Sequence, residues 1–421
     1  MKINLFLLIF SSFYFVLINS EVCKIGSPED FANLKDGCTE VDGFIVVTPE
    51  LPNTVNETWL EQKFSTVTKV TGIIMASSSY SKHCIAGTNL VNITFLRNLE
   101  TVELMMDLNP EMLQQMQALV VIAGNRKAKS IDLGKLTQVT IKDNQLLTIM
   151  IASNTFCLEE ATSIRLLQQY AFIADTPICN PTKVHCMTSL NPSNPMLVFT
   201  PSNLPDGCQI LYGGIVFQKA GDEQINSKIS TIEFISGFNA IIEAEMKTIN
   251  FTSLTHIVNP LGASYPTLCI AVNPQLTNLM VPNLKSLKTT TPLMRSVDPQ
   301  SQEETLQPPI GIYENPALSL TEDICDLFKS INSSLKIVTV AIENKQDCVG
   351  GDGSLDLKQT PEFTIENPGS GTGKVISVEP PPELQGQGGE YNGQDYGDYD
   401  SATRFSSIPS CLTMLALVRL M

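Results

Sequence analysis

The feature that most constrains the fold of this chain is an internal repeat. The stretch LKDGCTEVDGFIVV at residues 34–47 returns as LPDGCQILYGGIVF at residues 204–217. Both copies keep a Leu, an Asp-Gly-Cys triplet, a Gly five residues after the Cys, and an Ile-Val pair. KFSTVTKVTG at residues 63–72 then returns as KISTIEFISG at residues 228–237. Because matched blocks keep their order along the chain, the sequence predicts a tandem duplication.

Each copy also contains a shorter period. Residues 122–139 match residues 270–287, and IKDNQLL at residues 141–147 matches IYENPAL at residues 312–318. Within these blocks an apolar strand ends in Asn, a turn follows, and the pattern restarts after roughly 20 to 30 residues. The period is typical of a leucine-rich or β-helical solenoid, in which stacked coils bury apolar edges that no coil can bury alone.

Asparagine has a physical use at the corner of a coil. Its side-chain amide can satisfy backbone groups of the turn and stack on the Asn of the next coil. The sequence therefore predicts a ladder of corner asparagines at Asn125, Asn144, Asn273 and Asn315.

The cysteines lie where the ends of such coils need caps. By the symmetry of the two copies, the predicted disulfides are Cys23 to Cys38, Cys157 to Cys179, Cys186 to Cys208 and Cys325 to Cys348. Symmetry alone sets this connectivity, so Cys179 and Cys186 could exchange roles. Cys269 lies in an apolar strand and is predicted to be a buried thiol. Cys84 could be free, any pairing of these two stays open, and Cys411 leaves with the C-terminal tail.

The two ends of the chain carry targeting signals. Residues 1–20 have a basic start, an apolar run and a small residue before the cleavage point, which is the form of a signal peptide. Residues 350–400 are rich in Gly, Pro, Gln and acids, and they predict a disordered stalk. Residues 401–421 have the outline of a signal for a glycosylphosphatidylinositol anchor, with attachment at Ser401, and simple secretion is the alternative.

Composition agrees with an extracellular address. The chain has 11 cysteines, a high number for a reducing compartment. Its formal net charge of −16 argues against nucleic acid and anionic membrane surfaces as partners, which leaves contact with a membrane only through the anchor. Acceptor sequons for N-linked glycan occur at Asn56, Asn92, Asn250 and Asn332.

Two cysteine-capped copies with corner asparagines, including TFLRNLETV at residues 94–102 and NPQLTNLMVPNLKSL at residues 273–287, resemble receptor L domains. These domains occur in the ectodomains of the insulin and epidermal growth factor receptors. The resemblance implies two tandem short right-handed parallel β-helices with capping helices, a leucine-rich-repeat-like β-solenoid, at residues 21–183 and 184–349. A long cysteine-rich module between the copies is missing, so the chain looks most like the stand-alone L-domain proteins of nematodes.

No catalytic or metal-binding residues and no cofactor are predicted. None of the three histidines stands in a catalytic motif, so each is interpreted as a surface or turn residue: His83, His185 and His256. The best enzymatic alternative, a β-helical polysaccharide lyase, needs clustered acidic ligands for calcium. The available acids are too scattered along the coils to form that cluster: Asp132, Asp143 and Glu343.

The predicted function is non-catalytic binding on broad sheet faces, one in each copy. The resemblance implies an insulin-like or growth-factor-like peptide, or a receptor ectodomain, as the partner. The alternative is a structural or adhesive role at the cell surface or in the matrix. No ligand-contact residues are assigned. Asn92 and Asn250 occupy similar places in the two copies, which predicts that glycan covers one edge of each copy and leaves the opposite face open.

Overall fold

Parallel sheets dominate the computed structural model of the chain. It describes residues 21–47, 54–77, 90–104, 118–125, 127–141, 147–153, 155–169, 171–188, 197–219, 223–260, 267–289, 294–297, 304–307, 310–332, 339–342, 344 and 374–375. The predicted signal peptide and the predicted anchor signal with Ser401 lie outside the described residues. The same holds for the predicted stalk, apart from Lys374 and Val375.

The first set of sheets, here called the first unit, has three parallel parts. A front sheet runs β1–β2–β3–β5–β8, a back sheet runs β3–β6–β9–β11 from the second half of β3, and a side sheet pairs β4 with β7. A short pair, β10 with β12, closes the unit. The strands are β1 Val22–Ile25, β2 Glu40–Val47, β3 Lys69–Ser77, β4 Asn92–Ile93, β5 Thr101–Leu104, β6 Ala118–Ala123, β7 Ser130–Ile131, β8 Gln138–Ile141, β9 Leu147–Ala152, β10 Leu158–Glu159, β11 Ala171–Ala174 and β12 Ile178–Cys179. The helices are α1 Pro28–Ala32, α2 Glu57–Phe64 and α3 Glu160–Leu167.

The second unit repeats this plan. Its front sheet runs β23–β20–β17–β15–β13, its back sheet runs β14–β16–β18–β21–β26–β27, and its side sheet pairs β19 with β22. The strands are β13 His185–Met187, β14 Val198–Phe199, β15 Ile210–Tyr212, β16 Gly214–Gln218, β17 Phe234–Ser236, β18 Asn239–Ile242, β19 Thr248–Asn250, β20 His256–Asn259, β21 Leu268–Ala271, β22 Asn278–Met280, β23 Ser286–Thr289, β24 Met294–Val297, β25 Glu304–Gln307, β26 Ile310–Tyr313, β27 Thr339–Ile342 and β28 Lys374–Val375. The helices are α4 Glu223–Ile229 and α5 Glu322–Asn332.

Apart from an isolated bridge between Gly213 and Ser236, antiparallel pairing among the described strands joins β24 to β25 and adds β28 to the edge of the second front sheet beside β13. The other strands are parallel because the chain runs in the same direction each time it returns to a sheet. The handedness of these passes and a capping role for α3 and α5 stay predictions.

Glycines form the corner between front and back sheets, which explains why both copies keep them. Gly43 and Gly72 have φ values of 137° and 154°. A Cβ on Gly72 would lie 1.8 Å from the carbonyl oxygen of Gly43. In the second unit a Cβ on Gly237, the counterpart of Gly72, would lie 2.3 Å from the backbone nitrogen of Gly214. Neighbouring passes approach so closely at this corner that no side chain fits between them.

Asparagines form a ladder at another corner of the second unit, where Asn273 and Asn315 are buried. Nδ2 of Asn273 donates to Oδ1 of Asn315 at 2.9 Å, and Nδ2 of Asn315 donates to Oδ1 of Asn344 at 2.8 Å. Asn344 belongs to this ladder although it is absent from the set predicted from sequence. In the first unit, Nδ2 of buried Asn125 donates to the carbonyl oxygen of Ala76 at 2.8 Å. Asn144 lies outside the described residues.

Disulfides hold the ends of the two units. The structure joins Cys23 to Cys38, Cys157 to Cys179 and Cys186 to Cys208, which are three of the four predicted pairs. Cys325 is also disulfide-bonded, but its predicted partner Cys348 lies outside the described residues, as do Cys84 and Cys411. Cys269 is a buried free thiol on β21, and burial raises its pKa.

Candidate functional site

The front sheet of the first unit presents a polar outer surface. Side chains alternate between the two sides of each strand, so Val41, Val70, Val102 and Val139 enter the core. The residues between them face outward and are exposed or half-buried. This surface, called the open face below, consists of Val22, Lys24, Glu40, Asp42, Lys69, Thr71, Thr101, Glu103, Gln138 and Thr140.

Cross-strand ion pairs organise the open face. Nζ of Lys69 lies 2.5 Å from Oε1 of Glu103 and 3.3 Å from Oε1 of Glu40. The hydroxyl of Thr71 donates to Oε1 of Glu40 at 3.1 Å. The hydrogen bond to Glu103 is the main reason why the pKa of Lys69 is raised. The result is a polar, partly exposed surface with cross-strand charge pairs, which suits reversible contact with a polar partner.

The front sheet of the second unit has the same strand register but a different outer surface. Its outward residues, called the covered face below, are His185, Met187, Ile210, Tyr212, Phe234, Ser236, His256, Val258, Ser286 and Lys288. Five of them belong to the hydrophobic core of the first unit rather than to that of the second: Met187, Ile210, Tyr212, Phe234 and Val258. The expectation of one free sheet face in each copy is therefore wrong for this sheet.

Helix α3 of the first unit and the residues after it supply part of the cover. The hydroxyl of Ser163 in α3 is hydrogen-bonded to the hydroxyl of Tyr212 on β15. Nζ of Lys288 on β23 donates to the carbonyl oxygen of Gln168 at 3.2 Å. The centre of the sheet is buried on both sides because half of its ten outward residues are apolar or aromatic, a pattern typical of strands covered on both faces.

A carboxylate on α3 binds the segment that connects the two units. The oxygens of Glu160 accept from the backbone nitrogens of Thr182 (3.1 Å) and Lys183 (3.0 Å), and from Nε2 of His185 (2.8 Å). The hydroxyl of Thr182 also donates to Glu160, at 2.6 Å. Burial opposes ionisation of Glu160, but the hydrogen bonds outweigh it and lower the pKa of Glu160 to about 2.

His185 links this carboxylate to the covered face. Its side chain is 0 % exposed, and its Nδ1 lies 2.9 Å from the hydroxyl of Tyr212. Burial lowers the pKa of His185 more than Glu160 raises it, so the ring is neutral at pH 7. Because ionised Glu160 can only accept, the neutral ring donates from Nε2 and accepts from Tyr212 at Nδ1.

Of the histidines interpreted from sequence, His185 does not occupy the expected position. His185 is buried, not a surface or turn residue, because the first unit covers its strand. His256 is half-buried and stacks on Phe234 with ring centroids 5.6 Å apart. His83 lies outside the described residues. The signal that sequence reasoning missed is the apolar character of the outward positions around both described histidines.

A metal centre has no candidate in the part of the chain that the structure describes. Within that part, no group of three or more His, Cys, Asp or Glu side chains is placed to hold a metal ion. Of the acids weighed from sequence, Asp132 accepts from the backbone nitrogen of Gly134 at 2.8 Å. Asp143 and Glu343 lie outside the described residues.

Comparison with known protein families decides what these two units are. Residues 37–168 and residues 207–330 each match the family model of the receptor L domain, and the two matches together span more than half of the chain. The chain belongs to the receptor L-domain family. Its first and second units are accordingly its first and second L domains. A search of curated proteins finds no match.

Receptor L domains are β-helix-like binding domains of receptor ectodomains. This agrees with the parallel sheets and disulfides of both L domains. None of the helices in the described part of the chain is long and apolar enough to cross a membrane.

The sequons lie away from the open face. Asn92 is exposed on β4 and Asn250 is half-buried on β19, so both belong to the side sheets of their L domains. Asn56 is the exposed N-cap of α2, where its Oδ1 accepts from the backbone nitrogen of Trp59 at 3.0 Å. Asn332 is the last residue of α5. The paired sequons therefore lie on the side sheets of the two L domains and not on the front sheets.

Proposed function

We propose that this protein is a non-catalytic extracellular binding protein, and that its partner docks on the open face of the first L domain. The partner class is an insulin-like or growth-factor-like peptide, or the ectodomain of a receptor for such a peptide. The observation that carries this proposal is the contrast between the two front sheets. The first L domain keeps a polar sheet surface that is exposed or half-buried, whereas the matching surface of the second is occupied by the first.

The placement of the sequons supports binding over a passive structural role. Glycans on the open face would block a partner and favour the alternative of adhesion or matrix contact. Asn92 and Asn250 are instead on the side sheets. Glycan at these residues would leave the open face free for a partner.

The remaining parts of the proposal concern architecture and location. Both L domains, assigned to residues 21–183 and 184–349, are right-handed β-helices, with α3 and α5 capping their ends. After removal of the signal peptide, the protein is secreted or held on the outer cell surface by an anchor at Ser401. Residues 350–400 form a stalk that is flexible except at β28, where it pairs with β13. Release from intact cells by a phosphatidylinositol-specific phospholipase tests the anchor, and retention after treatment contradicts it.

A glycan placed on the open face tests the binding surface. Gln138→Asn turns residues 138–140 into an Asn-Val-Thr sequon on exposed strand β8, next to Thr101 in the register. Met280→Thr is the matched control, because it turns residues 278–280 into an Asn-Leu-Thr sequon on the exposed side strand β22. Both variants add one carbohydrate chain to an exposed strand, and they differ in which face receives it.

The experiment is a pulldown of insulin-like and growth-factor-like peptides and receptor ectodomains with the secreted wild type and both variants, after glycan occupancy is verified by mass spectrometry. We expect wild type and Met280→Thr to capture the same partner, and Gln138→Asn to bind it at least about tenfold more weakly, because a bulky glycan prevents contact with the sheet. Equal binding by the occupied Gln138→Asn variant would exclude the open face. Capture of nothing by wild type would exclude the partner class.

A further inference from the structure

The contact between the two L domains contains a buried chain of polar side chains. It runs from Glu160 through His185 and Tyr212 to Ser163, so it begins and ends on α3 of the first domain and passes through β13 and β15 of the second. His185 is the member whose ordinary pKa lies nearest neutral pH. Its ring forms hydrogen bonds at both nitrogens and has no exposed surface.

We propose that this junction is an acid-sensitive latch, in which neutral His185 holds the two L domains together and protonated His185 loosens their contact. In the neutral state Nδ1 accepts from Tyr212, whose oxygen is then free to accept from Ser163. A protonated ring must donate from both nitrogens, so Tyr212 has to reverse its hydroxyl toward Ser163. The added charge would also be enclosed without access to water.

The charged and titratable groups acting on His185 come from both sides of the junction. Glu160 on α3 favours the protonated ring, whereas burial and nearby Lys183 favour the neutral ring. Tyr212 on β15 stays protonated because burial raises its pKa. The balance lowers the pKa of His185 below 6.5. The stability that neutral His185 contributes is therefore fully present above pH 6.5 and decreases as the pH falls below that value.

Protonation of His256, the second histidine on the covered face, also weakens the contact between the domains. Burial, Lys285 and Lys288 lower the pKa of His256. Lys288 is also the residue that donates to Gln168 of the first L domain. Acid therefore adds positive charge at two places on one face, beside lysines that are already charged. Both described histidines of this protein act at the junction, although the sequence gives them no shared motif.

Hydrogen exchange of two amides tests the latch at its centre. The backbone nitrogens of Thr182 and Lys183 donate to Glu160, the same carboxylate that His185 binds. After correction for the intrinsic effect of pH on exchange, we expect their protection in wild type to fall by up to about tenfold for each pH unit between 6.5 and 5.0. Amides of Val70 and Ile74, in the core of the first L domain, serve as the internal control.

His185→Gln separates the latch from a general effect of acid. Gln keeps one donor and one acceptor but cannot be protonated near neutral pH, so we expect Thr182 and Lys183 protection in this variant to lose most of its pH dependence, with only the smaller contribution of His256 remaining. His256→Gln, the matched control, should retain most of the wild-type response. Equal wild-type protection at pH 7.5 and 5.0, or the same loss in His185→Gln, would overturn the proposal. If His185→Gln does not fold, the wild-type ring is titrated by NMR, and protonation without loss of protection overturns it.

Discussion

The front sheets of the two L domains share one register and have opposite outer surfaces. Where the first domain has charged residues, the second has apolar or aromatic ones, at the matched pairs Glu40 and Ile210, Asp42 and Tyr212, and Lys69 and Phe234. The inner residues of both sheets are equally apolar and buried. A duplicated domain can therefore keep its core unchanged and acquire a new use by changing only the outward residues of one sheet.

The difference has an energetic meaning. A fully buried Phe, Ile or Met side chain contributes roughly 1.5 to 3 kcal/mol relative to an exposed one, so the five apolar residues of the covered face favour a stable contact between the domains. Exposed ion pairs such as those of Lys69 contribute about 0 to 1 kcal/mol. The open face therefore adds little to stability and is available for recognition, whereas the covered face is part of a core.

The largest expected effect on stability comes from truncating a side chain of the covered face, compared with the same change at the matched position of the open face. Phe234→Ala should lower the free energy of unfolding by about 3 to 5 kcal/mol, because it leaves a cavity between the two domains. Lys69→Ala, at the equivalent position of the open face, should lower it by less than about 1 kcal/mol. Denaturant unfolding of both variants beside wild type measures the difference. Similar losses for the two would show that the covered face is not a core.

A smaller effect on stability is expected from replacing either of two glutamates, one at the junction and one on the open face. Glu160 accepts four hydrogen bonds at the junction, so Glu160→Gln should cost about 2 kcal/mol at pH 7. The control Glu103→Gln, on the open face, should cost less than about 1 kcal/mol.

The pH dependence of the Glu160 effect has a fixed sign. The pKa of Glu160 is about 2, below the ordinary value of 4.5. Its stabilisation is therefore complete above pH 4.5 and is lost as the pH falls toward 2. Unfolding of wild type and Glu160→Gln between pH 7 and pH 2.5 should show the two stabilities converging in acid. A constant difference across this range would mean that the carboxylate charge does not stabilise the junction.

Sequence predicts the repeated framework of this protein well, because that framework depends on local requirements. The corner glycines recur since only Gly tolerates a neighbouring backbone at contact distance, as at the matched residues Gly43 and Gly213. The disulfides follow from the symmetry of the copies. The Asn ladder depends on one residue type at the end of a strand, a rule that also applies to Asn344.

The use of the two sheet faces is harder to predict, because it depends on what packs against them from elsewhere in the chain. A partial signal exists in the letters ILY of β15, which are apolar on both sides of the strand, whereas β2 begins with alternating EVD. Alternating polar and apolar residues predict a strand with one face in contact with water. Continuous apolar residues predict a strand that is buried on both faces. The strand sequence does not show which element packs against it. The burial of His185 against α3 is therefore visible only in the structure.

The most direct test of unequal faces compares the reactivity of a thiol at matched positions. Thr71 on β3 and Ser236 on β17 are equivalent in the repeat, and the first is half-exposed whereas the second is buried on the covered face. Thr71→Cys and Ser236→Cys are treated with a maleimide at pH 7, and the signal of the wild-type thiols is subtracted. Thr71→Cys should react readily, and Ser236→Cys should react at least about 100-fold more slowly, because labelling requires the domains to separate. Equal rates at the two positions would contradict the covered face, and with it the assignment of the binding surface to the first L domain.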